Sequence, residues 1–110
     1  MRILVCGGRN YDDYGMVKAV LGKWKPTEIV EGGANGADNL AAMYAIANEL
    51  PHLQYKADWA AHGKAAGMIR NKHMLDHGKP DMVIAFPGGR GTQDMASRAI
   101  DAGIPTEIIE

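Results

Sequence analysis

Three glycine-rich segments of this chain have the residue types and spacing that hold phosphate groups in proteins. Residues 87–92 read P-G-G-R-G-T and follow the apolar run at residues 82–86. Glycines allow a backbone to approach a ligand closely, and the free N–H groups at the start of a following helix attract an anion. Similar segments occur at residues 7–9, G-G-R, and at residues 32–38, G-G-A-N-G-A-D. Three such segments in a short chain predict one composite pocket for a phosphorylated small molecule.

Apolar runs and helical periodicity alternate along the chain. The pattern predicts strands over residues 3–6, 28–31, 53–57, 81–86 and 105–109, helices over residues 14–24, 38–50, 64–77 and 91–102, and a loop over residues 59–63. This alternation is typical of an α/β fold, and we expect a Rossmann-like three-layer sandwich with a parallel sheet of about five strands in the order 3-2-1-4-5. Ligands bind such sheets beyond the carboxyl ends of the strands, where the strand order reverses. The glycine-rich segments follow the first, second and fourth strands, so topology and motif spacing predict the same place.

Length and composition limit the classes of function. The chain has 110 residues, which predicts one domain over residues 1–110, and a formal net charge of −1. The balanced charge and the lack of a lysine or arginine stripe disfavour nucleic-acid binding. No apolar stretch approaches the roughly 20 residues that cross a bilayer, so we expect no membrane association. A single cysteine, Cys6, excludes an internal disulfide and favours a cytoplasmic location.

Two familiar phosphate-binding signatures do not fit. A dinucleotide fingerprint needs G-x-G-x-x-G after the first strand, where residues 7–12 read G-G-R-N-Y-D. A P-loop needs a glycine five residues before its G-K-[ST], and Gly63-Lys64 is followed by Ala65. Hydride transfer and ATP hydrolysis are therefore disfavoured, and no cofactor is expected.

The remaining pattern resembles the SLOG superfamily, which groups the Lonely Guy proteins, the Smf/DprA proteins and related nucleotide-sensing domains. The residues that carry the resemblance are 87–92 and 67–74, G-M-I-R-N-K-H-M, while residues 7–9 and 32–38 point to the small YspA-like (YAcAr) branch. The resemblance implies a Rossmann-like fold that binds nucleotides or nucleotide-derived ligands, and it implies homo-oligomers.

For the Lonely Guy enzymes, the resemblance implies hydrolysis of the N-glycosidic bond of a cytokinin riboside monophosphate. That chemistry uses an arginine in a motif like the one around Arg70 and a glutamate three residues after the threonine of P-G-G-x-G-T. Met95 occupies the glutamate position here, and Asp94 beside it points about 100° away on a helix. The absence of a glutamate at this position favours binding without turnover. Asp94 and Arg70 would be catalytic only if the protein is an enzyme.

Several side chains have a structural and a functional interpretation. The Arg70 guanidinium suits a phosphate or carboxylate, although a plain surface arginine is the alternative. Arg9 either contacts the ligand or forms a structural salt bridge. Asp38 is either a helix N-cap or a ligand of a ribose or base, and Asn35 is similar. The predicted ligand-binding residues are Gly7, Gly8, Arg9, Tyr11, Gly32, Gly33, Asn35, Asp38, Trp59, Arg70, Pro87, Gly88, Gly89, Arg90, Gly91 and Thr92, with Tyr11 and Trp59 stacking on a base.

Metal binding is not predicted, because His73 and His77 lack a third ligand. We interpret Asp12 as the cap of the first helix and Trp24 as a core residue. The leading hypothesis is a sensor or sponge for a nucleotide-derived molecule such as ADP-ribose, a cyclic ADP-ribose-like signal or a nucleoside monophosphate. The alternative is a nucleotide hydrolase like the Lonely Guy enzymes that cleaves an N-glycosidic or phosphoester bond. We expect a dimer or higher homo-oligomer formed by the apolar faces of the second and fourth predicted helices, with Leu40, Met43, Tyr44 and Leu50 on the former.

Overall fold

One parallel sheet organises the chain. The computed structural model describes residues 1–110. Its strands are β1 (Arg2–Cys6), β2 (Glu28–Glu31), β3 (His52–Gln54), β4 (Met82–Ala85) and β5 (Thr106–Ile108). They are arranged in the order β3-β2-β1-β4-β5, and every neighbouring pair is parallel. The predicted fold class and strand order are confirmed.

Helices cover both faces of this sheet. They are α1 (Tyr14–Trp24), α2 (Ala37–Ala47), α3 (Trp59–His62), α4 (Ala66–Gly78) and α5 (Arg90–Asp101), with a short 3-10 turn at Gly63–Ala65. One apolar cluster packs Ile3 and Val5 against α1 and α2, and a second packs Leu4 and Met74 with α5 on the other face. Successive strand residues therefore enter opposite layers, which explains why the central strands are apolar throughout. None of the helices combines the length and apolar content needed to span a bilayer.

Three elements differ from the sequence-based expectation by more than two residues, while the other boundaries agree or shift by one or two. Residues 59–63 were expected to form a loop, but α3 begins there because the Asp58 carboxylate accepts the Ala61 N–H at 3.0 Å. The third strand ends at Gln54 rather than at residue 57, since its partner β2 ends at Glu31 in the same register. The second helix ends at Ala47 rather than at residue 50.

Two side-chain assignments also change. Asp13, not Asp12, caps α1, because its Oδ1 accepts the Met16 N–H at 3.0 Å. Tyr44 belongs to the core, where Leu40 and Leu50 pack against it, so most of the expected oligomer face of α2 is used internally. Trp24, which the sequence assigned to the core, does pack against the same cluster and is partly buried.

The loops after β1, β2 and β4 meet above the centre of the sheet. The Gly8 N–H donates to the Pro87 carbonyl at 2.9 Å, and the Gly8 carbonyl accepts the Ala37 N–H at 3.2 Å. A Cβ on Gly88 would lie 2.6 Å from the Gly8 nitrogen and would also overlap Thr92 Oγ1. Close backbone contact thus requires glycine at these positions. The convergence of the three segments is what the topology predicted.

Gly36→Ala tests this junction. Gly36 has a φ of 74°, and a Cβ there would overlap the Gly8 carbonyl oxygen and lie 2.6 Å from the Arg9 carbonyl carbon. We expect the substitution to lower the free energy of unfolding by about 2–4 kcal/mol. The matched control is Gly22→Ala on the exposed face of α1, where no atom lies within 4 Å of the added Cβ. We expect the control substitution to raise the free energy of unfolding by about 0.5–1 kcal/mol. Urea unfolding measures both, and similar midpoints for the two variants would contradict this account.

Candidate functional site

A cleft of about 510 Å³ lies beyond the carboxyl ends of β1, β2 and β3. Its lining residues are Arg9, Gly32, Gly33, Ala34, Asn35, Lys56, Ala57, Trp59 and Arg70. They come from the loops after β1, β2 and β3, from α3 and from α4. Six of the predicted ligand residues, namely Arg9, Gly32, Gly33, Asn35, Trp59 and Arg70, are brought together here.

The cleft is positively charged although the chain is not. Arg9, Lys56 and Arg70 line it, and no carboxylate is among its lining residues. The formal net charge of the whole chain is −1. Local accumulation of cations in a concave site favours an anionic ligand.

The Arg70 guanidinium is held in place by two hydrogen bonds to the protein. Its Nη1 donates to the Gly32 carbonyl at 2.6 Å, and its Nε donates to Asn71 Oδ1 at 3.0 Å. A side chain at Gly32 would overlap this guanidinium, so a larger residue there would displace Arg70 from this position. Arginine carries five N–H donors, which leaves three of them for other acceptors.

An aromatic ring lies at the mouth of the cleft. Trp59, the first residue of α3, is 48% exposed. The Arg9 guanidinium carbon is 5.1 Å from the centre of its ring, a cation–π contact. Trp59 Cη2 lies 3.5 Å from the position that a Cβ on Gly67 would take, so α4 supports the indole from behind. The pair offers a flat surface beside the cationic wall.

Buried carboxylates hold the loop after β2. The fully buried Glu31 accepts the Gly33 N–H at 2.6 Å and the Gln54 side-chain amide at 2.9 Å. Asp38 accepts the Ala34 N–H at 3.2 Å. The sequence led us to expect that this loop would present free N–H groups to a phosphate. That expectation is wrong for Gly33 and Ala34, because buried carboxylates require donors and take these amides inward.

Asp38 forms part of the floor rather than the lining of the cleft. Gly36, not Asp38, occupies the N-cap of α2. Burial raises the pKa of Asp38 to about 6, against the opposing effects of the Ala34 N–H and the Arg70 charge. Nearby, burial also raises the pKa of the Cys6 thiol to about 12, which suits a packed thiol rather than a nucleophile.

The P-G-G-R-G-T segment borders the cleft without lining it. Pro87, Gly88, Gly89, Arg90 and Gly91 are exposed, and Thr92 is half-buried. The N-cap residue of α5 is Gly89, which has no side chain, so no side-chain cap covers the N–H groups of the first turn of this helix. The segment is joined to the cleft through two contacts, from Gly8 N–H to the Pro87 carbonyl and from Asn71 Nδ2 to the Gly91 carbonyl.

Two further predicted residues lie away from the cleft wall. Tyr11 packs its ring against Phe86, with centroids 5.4 Å apart, and so joins the core cluster rather than facing the cleft. Gly7 lies below the junction, where a Cβ would be 2.5 Å from Ala37 Cβ.

No carboxylate takes the place of the glutamate of the Lonely Guy enzymes. Met95 is fully buried in the apolar cluster between the sheet and α5. Asp94 accepts from Asn71 Nδ2 at 3.1 Å and from Arg98 Nε at 2.9 Å, so its Oδ2 is already paired. No group of three or more His, Cys, Asp or Glu side chains is placed to hold a metal ion.

Lys56 and Asn71 were missed by the sequence analysis. Lys56 was assigned to a strand over residues 53–57, whereas β3 ends at Gln54 and leaves Lys56 in the loop at the cleft. Its position just after a strand, at the same sheet edge as the glycine loops, was the available signal. Asn71 sits next to Arg70, but nothing in the local pattern marks its three hydrogen bonds.

Comparison with known proteins identifies the family. A family model described as the YspA, cpYpsA-related SLOG family, YAcAr, matches residues 1–62, more than half of the chain. The chain belongs to this family. The Gene 61 protein of Mycobacterium phage D29 is 44% identical to it over 85 residues, which cover 70% of this chain and 66% of that relative. The chain thus aligns with just under two thirds of the relative's length. The YAcAr match includes Arg9 and Trp59, whereas Arg70 lies beyond it.

Asp38→Asn tests the electrostatics of the floor in this YAcAr protein. The folded-state pKa of Asp38, about 6, is above the ordinary aspartate value of 3.8. Protonated Asp38 therefore stabilises the fold fully below pH 3.8, and this contribution is lost as pH rises through 6. The Asp38→Asn variant has no carboxyl group to titrate at this position. Its free energy of unfolding minus that of wild type should therefore rise by up to about 3 kcal/mol between pH 3.5 and pH 7.5. Chemical unfolding across this range measures the difference, and a constant difference would show that Asp38 titrates normally.

Proposed function

We propose that the protein binds a phosphorylated, nucleotide-derived small molecule in the cleft. The observation that carries this proposal is the set of three cations, Arg9, Lys56 and Arg70, in a concave site that no carboxylate lines. Its volume of about 510 Å³ suits a ligand of nucleotide size. Membership of a SLOG family is compatible with a nucleotide-derived ligand.

Each part of the site has a role under this proposal. Arg70 and Lys56 neutralise phosphate, and the fixed guanidinium supplies directed N–H donors. The exposed indole of Trp59 offers a face on which a base stacks. The open first turn of α5, with Gly89 at its N-cap, provides a second place for negative charge beside the cleft. Gly7, Gly8, Gly32 and Gly33 shape the walls.

Use as a sensor or sponge follows from the absence of a placed carboxylate in the cleft. Met95 is buried, and Asp94 is paired with Asn71 and Arg98. We propose a cytoplasmic protein, which its free and buried Cys6 supports. We also propose a homo-oligomer, since Ile46 on α2 and Ile100 on α5 remain exposed.

Binding measurements with matched ligands test the proposal. ADP-ribose and AMP should bind at least about tenfold more tightly than adenosine, which has the base and ribose without phosphate. Arg70→Ala should weaken AMP binding by about ten- to a hundredfold, because it removes charge-assisted hydrogen bonds. The control Lys18→Ala changes an exposed cation on α1 and should leave affinity unchanged. Titration calorimetry at fixed salt measures all five affinities. Equal affinity for AMP and adenosine would refute a phosphate site.

A hydrolase is the second candidate, and Asp38 is the observation that favours it. It is a buried carboxyl with a pKa of about 6 that lies next to Arg70, and perturbed carboxyl groups of this kind serve as general acids or bases. Asp38 is nevertheless below the lining of the cleft, so binding without turnover ranks first.

Product analysis separates the two candidates. The binding protein should release less than one equivalent of free base or phosphate from AMP or ADP-ribose, because no carboxylate lines the cleft to activate water. Chromatography of the incubated mixture measures the products. Repeated turnover that Asp38→Asn abolishes, with AMP affinity retained, would establish the hydrolase instead. The same assay with Asp101→Asn serves as control, since Asp101 is an exposed carboxylate at the last position of α5.

A further inference from the structure

Asn71 is the most completely engaged polar side chain next to the cleft. It is only 3% exposed. Its Oδ1 accepts from Arg70 Nε at 3.0 Å, and its Nδ2 donates to the Gly91 carbonyl at 3.0 Å and to Asp94 Oδ2 at 3.1 Å. Because Nδ2 faces two acceptors and Oδ1 faces one donor, only one orientation of the Asn71 amide satisfies all three hydrogen bonds.

These hydrogen bonds connect α4 with the first two turns of α5. Asp94 is itself held by Arg98 Nε at 2.9 Å. The Asn71 amide is therefore anchored on α5 by a neutral carbonyl and a charged carboxylate, and it offers its oxygen to Arg70. An aspartate could not replace it, because it would set a second carboxylate against Asp94 and lose both donors.

Arg70 gains a fixed plane from this arrangement. One N–H is held by Asn71 and another by the Gly32 carbonyl at 2.6 Å, on different nitrogens of the guanidinium. A free arginine side chain loses rotamer freedom when it binds a ligand, and prior fixing reduces that loss. Arg70 lines the cleft, so its remaining donors are already oriented when a ligand arrives.

We propose that Asn71 is a positioning residue that holds Arg70 in the orientation that binds the anionic ligand. This inference rests on the proposed function for the ligand itself. The holding of Arg70 is a property of the free protein, so it is measured separately.

A double-mutant cycle with AMP as probe tests the proposal. Asn71→Ala should weaken AMP binding about tenfold in the otherwise unchanged chain. In the Arg70→Lys background it should change affinity by less than about twofold, because lysine keeps the charge but has no Nε–H for Asn71 to accept. An equal loss in both backgrounds would mean that Asn71 merely supports the fold, and it would overturn the proposal.

A second experiment measures hydrogen exchange of Arg70 in the free protein, without a ligand. The Nε–H resonance of Arg70, identified by its loss in Arg70→Lys, should exchange with solvent at least about tenfold faster in Asn71→Ala. An unchanged exchange rate overturns the proposal whatever AMP does. If wild type binds neither AMP nor ADP-ribose, the proposed function fails, and the exchange rate alone still decides whether Asn71 holds Arg70.

A milder variant keeps the proposal testable if replacement of the buried Asn71 prevents folding. Asp94→Asn leaves Asn71 in place and removes the charge from one of its two acceptors. It should accelerate exchange of the Arg70 Nε–H and weaken AMP binding by about two- to threefold. If Asn71→Ala does not fold, wild-type exchange together with wild-type AMP affinity in Asp94→Asn overturns the proposal.

Discussion

The backbone of Gly8 holds together the region on which the cleft depends. Its N–H is bound by the Pro87 carbonyl after β4, and its carbonyl is bound by the Ala37 N–H at the start of α2. One residue thus joins the loops of three strands by main-chain contacts alone. Side chains are excluded from the junction, since Gly36 and Gly88 have no room for a Cβ. Arg9 is the next residue along the chain, so the cleft begins where this junction ends.

Charge is sorted between the floor and the wall of the site. Glu31 and Asp38 turn inward and bind amides of the loop after β2. Arg9, Lys56 and Arg70 remain at the surface of the cleft. The buried carboxylates therefore fix the loop, and they also remove from it the N–H groups that a phosphate would use. An anion in the cleft would therefore be attracted by side chains of other elements and not by the backbone of that loop.

The sequence was sufficient for features that depend on repeated local signals. Alternating strands and helices identified the sheet order, and three glycine segments identified its switch point. Features set by tertiary partners could not be predicted in this way. The amides of Gly33 and Ala34 face inward only because Glu31 and Asp38 become buried beside them. Lys56 reaches the cleft because β2 ends at Glu31 and β3 ends with it, a boundary that propensity does not define. Tyr11 faces the core because Phe86, distant in sequence, lies beneath it.

The outer wall of the cleft depends on one of the two edges of the sheet. β3 has three residues and pairs with β2 alone. A Cβ on Gly33 would lie 2.6 Å from Lys56 Cγ and 3.1 Å from Gln54 Cγ, so the loop rests directly on this strand and the residues after it. Short edge strands open more readily than the centre of a sheet. A bound molecule that bridges Lys56 and Arg70 would suppress this opening. Opening of this edge strand and occupancy of the cleft would therefore be thermodynamically linked, so that the backbone amides of β3 would report on binding.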